Sequence, residues 1–196
     1  MKEYIRQHKE LDKVSRFRLI NRLLVTFTIG LMTPIVTILT GQYLPVYLVS
    51  IYSILNQLSV KTNKYMTTKY SIQQLYKIGV IVHFIFTLIG FVYFYNKFLM
   101  VNLDAIVMIL EIIVFGALSI KLDEYQAKFE TDLVAKYKII ANTYSSDFML
   151  LGLGLSTLLG LVNKDYIVIT FVITNIGINV WLINNLKFYE RNLKGE

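Results

Sequence analysis

Long apolar blocks alternate with short polar segments along this chain. Crossing the hydrocarbon core of a bilayer as a helix takes about 20 apolar residues, each adding about 1.5 Å. Six blocks meet or nearly meet this length: residues 23–41, 43–60, 75–95, 98–120, 148–162 and 166–186. The fifth block is short, and the fourth contains two acidic residues. The pattern therefore predicts six transmembrane helices, with five as the alternative number.

The segment between the fourth and fifth blocks, residues 121–147, carries a helical pattern of its own. Its apolar residues recur every three or four positions, as at Tyr137, Ile140 and Tyr144, and so share one face of a helix. Either the fourth helix continues out of the membrane and an amphipathic helix leads into the fifth, or this helix lies on the lipid headgroups. The sequence predicts an all-α polytopic fold with one six-helix domain over residues 1–196. A long cytoplasmic helical connection joins its helices 4 and 5.

The composition excludes an ordinary soluble domain. Of the 196 residues, 55% are hydrophobic and 17% are charged, whereas soluble domains carry about 25% charged residues. The chain contains no cysteine, which excludes disulfides, thiolate metal sites and cysteine nucleophiles. We expect neither a metal nor a cofactor.

The net charge of +7 indicates how the chain is oriented. Eighteen of the 20 Lys and Arg residues fall on one side of the predicted helices, and two, Lys97 and Lys164, fall on the other. Positive residues favour the cytoplasmic ends of transmembrane helices. We therefore expect a multi-pass protein of the cell membrane with both termini cytoplasmic. Its basic N-terminal segment is residues 1–18 and its tail is residues 187–196, and nucleic acid is not an expected partner.

Two acidic residues lie inside the fourth predicted helix. Asp104 and Glu111 are seven residues apart and differ by about 20° around the helix axis, so both face the same way. A carboxylate at bilayer depth costs about 2.5–3.5 kcal/mol on insertion scales. Asp104 lies near the outer end and can reach the interface, whereas Glu111 lies near the middle, with His83 of the third helix at a similar depth. These three are candidate transport or ion-coupling residues. The alternative for Glu111 is a neutral, hydrogen-bonded side chain that orients the helices.

Small and polar residues form a stripe along the first predicted helix. Thr26, Gly30, Thr33 and Thr37 recur at steps of four and three. Pro34 lies among them and removes one hydrogen bond of the helix. The stripe either packs against a neighbouring helix or lines a water-filled path.

Two further helices carry small or polar residues at helical spacing. In the fifth, Gly152, Ser156 and Gly160 are four apart, a series that permits close contact between helices. In the sixth, Asn175 and Asn179 share a face. These amides either form hydrogen bonds between helices or bind a ligand.

Two stretches of the chain match a known pattern. The first is Gly30-Leu-Met-Thr-Pro34 in the first predicted helix. The second is Asp132-Leu-Val-Ala-Lys-Tyr-Lys138, followed by the glycine-rich fifth helix. In type and spacing they resemble one six-helix half of a major facilitator superfamily transporter. The resemblance implies a transporter with two such halves around a midplane site, of which this chain supplies one.

The chain departs from that family in two places. The turn after the second predicted helix, residues 59–69, keeps positive charge but lacks the family's Gly and Asp. No arginine lies in the fourth helix, where many proton-coupled members carry one, and Glu111 lies near that place instead.

These features predict a half-size, major-facilitator-like membrane transporter that acts as a homodimer or heterodimer. The alternative is a non-transporting integral membrane protein that binds another membrane protein, as an immunity, regulatory or assembly factor does. An enzyme is not expected, because the chain has only two histidines and both intramembrane acids lie on one helix. The expected partners are the lipid bilayer and either a second copy or another membrane protein.

Overall fold

The computed structural model describes residues 11–128, 131–186 and 188. The regular structure of these residues is α-helical, as predicted. Six helices follow one another: α1 (Lys13–Tyr43), α2 (Val46–Lys69), α3 (Ile72–Tyr95), α4 (Lys97–Ala127), α5 (Thr131–Val162) and α6 (Lys164–Asn184). Residues 1–10, which make up half of the predicted basic N-terminal segment, lie outside the described residues, and so does nearly all of the predicted tail.

Polar side chains determine where the helices begin. Asp12 accepts hydrogen bonds from two backbone N–H groups in the first turn of α1, and Ser71 forms a capping box with Gln74 at the start of α3. Asn96 and Asn163 are each the single residue between two helices, and each caps the helix that follows it. The short gaps between the third and fourth and between the fifth and sixth predicted blocks are therefore tight turns.

The helices extend beyond the predicted apolar blocks at the other end of the bundle. α1 begins at Lys13, so residues 13–18 are its first turns and not part of a separate basic segment. α2 continues to Lys69, which leaves only Tyr70 and Ser71 before α3. Hydropathy marks the part of a helix that suits hydrocarbon, whereas capping residues mark where the helix itself begins.

Five helices, α1 and α3 to α6, are long and apolar enough to cross a membrane. The fifth predicted block, short in the sequence, belongs to the 32-residue α5 and qualifies. The shortfall lies in α2, whose apolar stretch is only Val46–Ser59. The fold is compatible with a multi-pass membrane protein. The sixth crossing and the cytoplasmic position of the ends stay predictions.

Two glycines allow α1 and α5 to approach closely. A Cβ atom added to Gly30 would lie 2.4 Å from the backbone oxygen of Met149, and one added to Gly152 would lie 2.3 Å from that of Phe27. Both contacts are with backbone, which cannot move aside as a side chain can. The Gly30 carbonyl is also the one that Pro34 leaves without its helical hydrogen bond. This part of the predicted stripe therefore serves packing.

The small-residue series of α5 is used unevenly. Gly152 forms the contact with α1, and Ser156 is buried at 1% exposure. Gly160 is exposed, and the nearest atom to its added Cβ is a methyl group of Ile167 at 3.4 Å. The prediction of helix packing is confirmed at Gly152, while Gly160 forms no comparably close helix contact.

The apolar face predicted within residues 121–147 is covered by protein. Tyr137 and Ile140 are 2% and 7% exposed and pack with Leu19 and Leu23 of α1. The segment is helical on both sides of the turn after α4, as predicted. Coverage by α1 favours an amphipathic helix that runs into the fifth span over one whose apolar face rests on lipid headgroups.

α2 packs against one face of α4. The Tyr52 hydroxyl donates to Asn102 Oδ1 at 2.8 Å. Further along, the side chain of Asn63 occupies the space over Gly116, where an added Cβ would lie 2.2 Å from it. With its amide oriented to donate, Asn63 reaches the backbone oxygen of Ile113 at 3.1 Å. Polar contacts thus hold the least apolar helix to the bundle.

We expect Gly152→Ala to destabilise the protein, because the new methyl group meets the backbone of α1. Overpacking of this kind costs about 1–3 kcal/mol. The matched control is Gly154→Ala, since nothing lies within 4 Å of an added Cβ at that position. Thermal unfolding in detergent, followed by the fluorescence of the single tryptophan, measures both. Equal stability of the two variants would contradict the glycine contact.

Candidate functional site

A histidine and a glutamate form a buried pair between α3 and α4. His83 Nδ1 lies 3.0 Å from Glu111 Oε1. The His83 side chain is completely buried, and Glu111 is 5% exposed. Both side chains occupy the apolar middle parts of their helices, so each would face a large desolvation cost without the other. The structure thus brings together the two residues that the sequence placed at similar depth.

The turn at Asn96 explains why these two residues meet. His83 and Glu111 lie at nearly equal separations from Asn96 along the chain. α3 ends and α4 begins at this single-residue turn, and the two helices pack along each other. Two helices with the same rise per residue bring such positions to the same level. The tight turn therefore fixes the register of the pair.

A chain of hydrogen bonds continues from His83 to α6. Thr87 donates from its hydroxyl to the His83 backbone oxygen at 3.1 Å, and Asn179 Nδ2 donates to Thr87 Oγ1 at 2.6 Å. Asn175, one turn away, donates to the backbone oxygen of Phe171 at 2.9 Å. Both asparagines are buried. Asn179 thus forms a hydrogen bond between helices, which was one of the two predicted roles, whereas Asn175 bonds within α6.

Several buried polar atoms next to this chain have no hydrogen-bond partner among the described residues. They include His83 Nε2, Asn175 Oδ1 and Asn179 Oδ1. The contact between Nδ1 and the carboxylate holds one shared hydrogen, and the tautomer of the ring decides which group donates it. No described neighbour bonds Nε2.

Asp104 lies on the same face of α4 as Glu111 but forms no salt bridge within the described part of the chain. It is 7% exposed. The interpretation in which this carboxylate simply reaches the interface therefore does not fit its burial. It is a second buried acid two turns from the pair.

A cavity of about 280 Å³ adjoins Glu111. It runs between α1 and α4, from Arg18 to Ile29 on α1, which spans about 16 Å at the rise of a helix. The walls between its ends are largely apolar, with Val25, Ile112 and Phe115 among the lining residues. Glu111 thus borders both the cavity and the buried histidine.

Arg18 joins three helices at the other end of the cavity. Its guanidinium donates to Asp123 Oδ1 at 2.6 Å and to the Ser119 backbone oxygen at 3.0 Å, both on α4. It also lies 4.2 Å over the ring of Tyr137 on α5. Lys138 Nζ is 2.9 Å from the other oxygen of Asp123. This network connects α1, α4 and α5 beside the cavity.

The threonines of the α1 stripe have different positions. Thr26 lines the cavity and Thr33 is half-buried, and both hydroxyls donate back to their own helix at 2.7 Å. Thr37 is exposed. Along this stripe, Gly30 packs closely against α5 and Thr26 borders a largely apolar cavity, while the predicted water-filled path stays a prediction.

The sequence treated Arg18 and Arg22 only as orientation charges and did not predict their place at the cavity. A signal was present. Arg18, Arg22 and Thr26 continue the spacing of four that Gly30 extends, so the stripe begins two turns earlier than predicted. Following the helical periodicity past the apolar boundary finds both arginines.

No three His, Asp or Glu side chains within the described ranges lie close enough together to hold a metal ion. No protein family, curated protein or solved structure matches this chain in comparisons of sequence and fold. The resemblance to the major facilitator superfamily therefore stays a prediction.

We expect His83→Leu and Glu111→Leu each to lower the free energy of unfolding, because each leaves one buried polar partner alone. In soluble proteins, breaking a buried pair costs about 3–5 kcal/mol. The double variant His83→Leu/Glu111→Leu should recover most of that loss, since no unpaired group is left. Glu124→Gln, at an exposed acid of α4, serves as the control. Unfolding by titration with a denaturing detergent measures all four, and strictly additive losses would contradict the pairing.

Proposed function

We propose that this chain is one half of a proton-coupled membrane transporter, in which His83 and Glu111 carry the coupling proton. The observation that supports this proposal most strongly is that Glu111 contacts both a buried histidine and a cavity. Its carboxylate is within hydrogen-bond distance of a buried imidazole, and the same residue lines the cavity between α1 and α4. A change in the protonation of the pair therefore alters the charge at the inner end of the cavity. In this proposal, binding of a solute in the cavity depends on whether the His83–Glu111 pair holds the coupling proton.

The buried amides of α6 support the proposed mechanism. Asn179 and Thr87 hold the backbone of α3 next to His83. His83 Nε2 on α3 and the Oδ1 atoms of Asn175 and Asn179 on α6 are buried and have no hydrogen-bond partner among the described residues. We propose that a proton-dependent contact among these atoms moves α3 and α6 relative to α4. Asp104 supplies a second buried carboxylate on the same face of α4 for a proton that passes further along the helix.

The exposed face of α2 supports the pairing of two halves. Ser50, Ser53 and Gln57 lie on one stripe of α2, opposite the face that packs on α4, and all three are exposed. By contrast, the exposed residues of α3 are large and apolar, with Ile81 and Phe84 among them. Lipid tails suit the α3 face, whereas the amide of Gln57 needs a hydrogen-bond partner at bilayer depth. We propose that a second copy of the chain or another half covers this stripe.

The same stripe favours a second candidate function. A membrane protein that binds a different membrane protein without transporting a solute also needs a polar, exposed helix face. In that case the His83–Glu111 pair only orients α3 and α4. The two candidates differ in whether flux depends on Glu111 and in what lies against α2.

We expect purified protein in lipid vesicles to accumulate at least one solute from a metabolite mixture when an inward proton gradient is imposed. Glu111→Gln should lower the initial rate at least about tenfold, because the side chain then no longer exchanges a proton with His83. Mass spectrometry of the vesicle contents measures the uptake. Empty vesicles and the Glu124→Gln variant are the controls. If no solute distinguishes vesicles with protein from empty ones, transport is wrong and the second candidate gains.

We expect Gln57→Cys to cross-link to a second copy when membranes are treated with a short bis-maleimide. The chain has no cysteine of its own, so a single introduced thiol reports its own neighbourhood. Ile81→Cys, on the exposed apolar face of α3, is the matched control and should stay monomeric. A Gln57→Cys adduct with a different protein would instead identify a heteromeric partner. Equal dimer yields from both variants would contradict a specific α2 interface.

A further inference from the structure

The cavity between α1 and α4 has a shape suited to an extended molecule. Its lining residues cover about three turns of α1 and the facing turns of α4. Between the ends, the walls are apolar side chains, including Val25, Ile29, Met108, Ile112 and Phe115. Its volume of about 280 Å³ is near the lower end of ligand pockets, which run from about 300 to 1,000 Å³. A single aliphatic chain fits such walls better than a polar solute does.

Positive charge at one end of this cavity is only partly compensated. Arg18 is paired with Asp123, but the same carboxylate also serves Lys138. Arg22 donates to the neutral acceptors Ser145 Oγ at 3.0 Å and Asn142 Oδ1 at 2.8 Å. No carboxylate of the described residues forms a salt bridge with Arg22. Arg18 and Lys138 thus share one acid, and Arg22 pairs with none among the described residues.

The opposite end of the cavity does not offer a free negative charge. Glu111 is the acid there, and its Oε1 atom already lies against His83 Nδ1. A cationic ligand would have to compete with that imidazole for the same carboxylate. Arg22 is an exposed residue that bonds two neutral acceptors, so an anionic group there displaces no carboxylate of the described residues. Charge complementarity therefore favours a negatively charged ligand.

We infer that this cavity binds an amphipathic anion, with the acidic head at Arg22 and the aliphatic chain along α1 and α4 toward Glu111. A guanidinium gives strong, charge-assisted hydrogen bonds to a carboxylate or a phosphate. The apolar walls take the chain out of water. Such a molecule can be a free fatty acid or a single-chain phospholipid of the membrane, which share the acidic head and the chain. That this ligand is also the transported solute rests on the proposed function, whereas its binding does not.

The chain contains a built-in probe for this cavity. Its single tryptophan, Trp181 on α6, donates from the indole N–H to Asn21 Oδ1 at 2.8 Å. Asn21 lines the cavity at the same end as Arg22. A bromine atom carried into the cavity on a ligand chain quenches a nearby indole. Trp181 is 37% exposed, so brominated chains in the surrounding lipid also quench it, and only the saturable part of the quenching reports occupancy of the cavity.

The test uses the full chain in phosphatidylcholine nanodiscs and three bromine-labelled probes. They are bromodecanoate, a lysophosphatidic acid with a brominated chain, and bromodecanol as the uncharged analogue. We expect saturable quenching of Trp181 by at least one of the two acids, and binding of bromodecanol at least about tenfold weaker. Quenching by both acids indicates that the cavity recognises the negative charge of the head group. Quenching by one acid alone shows whether the cavity selects a carboxylate or a phosphate head group. Equal quenching by the alcohol overturns the inference.

Paired variants separate the head from the chain. Arg22→Gln should weaken binding of the acids about tenfold, and Arg22→Lys should retain most of it because the charge remains. Lys136→Gln removes an exposed cation of α5 outside the cavity and should change nothing. Ile29→Phe narrows the cavity and should weaken all chains, whereas Ile173→Phe, at an exposed position of α6, should not. If Arg22→Gln binds the acids as the original chain does while circular dichroism shows the same helix content, the inference is wrong.

The outcomes also distinguish this inference from the proposed transport. If the acids quench Trp181 specifically but no solute enters the vesicles, the binding site is supported and the proposed transport is contradicted. If a solute enters the vesicles in a Glu111-dependent way and neither that solute nor the acids quench Trp181, the proposed transport is supported. Binding of an amphipathic anion is then contradicted.

Discussion

Polar groups within an apolar bundle need partners supplied by the protein, and the His83–Glu111 contact is where this requirement is strongest. Both side chains are buried, so each depends on the other for its hydrogen bond. Together with the turn at Asn96, the contact holds α3 and α4 at one relative level. It also places Thr87 where Asn179 of α6 can donate to it. The positions of three helices therefore follow from one pair of side chains.

A second polar layer lies at the end of the bundle where α1 begins, and it obeys a different rule. There Asp123 is partly exposed and Lys138 is exposed, although Arg18 is buried, so their charges need not balance within the protein. The buried layer pairs one imidazole with one carboxylate, while this layer sets two cations against one acid. The cavity connects the two layers along an apolar wall. Because its two ends differ in charge, the cavity favours one orientation of a ligand that is charged at one end.

Much of the fold follows from patterns in the chain, because apolar blocks and capping residues are local signals. Helical structure, the tight turns at Asn96 and Asn163 and the equal depth of His83 and Glu111 were all predictable. The length of α1 and α2 beyond hydrocarbon was not, since hydropathy ends where charged residues begin. The cavity end at Arg22 was also missed, because a basic residue near a membrane boundary was interpreted as an orientation signal alone.

Other features depend on contacts between distant segments and have no local signal. Gly30 and Gly152 are recognisable in the sequence as small residues. Only the packed structure shows that each faces the backbone of the other helix. Gly160 belongs to the same series and is exposed. Periodicity identifies a face of a helix and does not identify the neighbour that covers it. For the same reason the sequence left two roles open for the α1 stripe, of which the structure shows close packing at Gly30.

The single-residue turn at Asn96 has a consequence for how the chain is made. A connection this short leaves no room for α3 to settle in the membrane before α4 follows it. In a bilayer, a turn this short favours entry of the two helices as one hairpin, with His83 and Glu111 facing each other from the start. Neither ionisable side chain would then be carried alone into hydrocarbon. The turn would thus lower the barrier to insertion of a segment whose carboxylate opposes it.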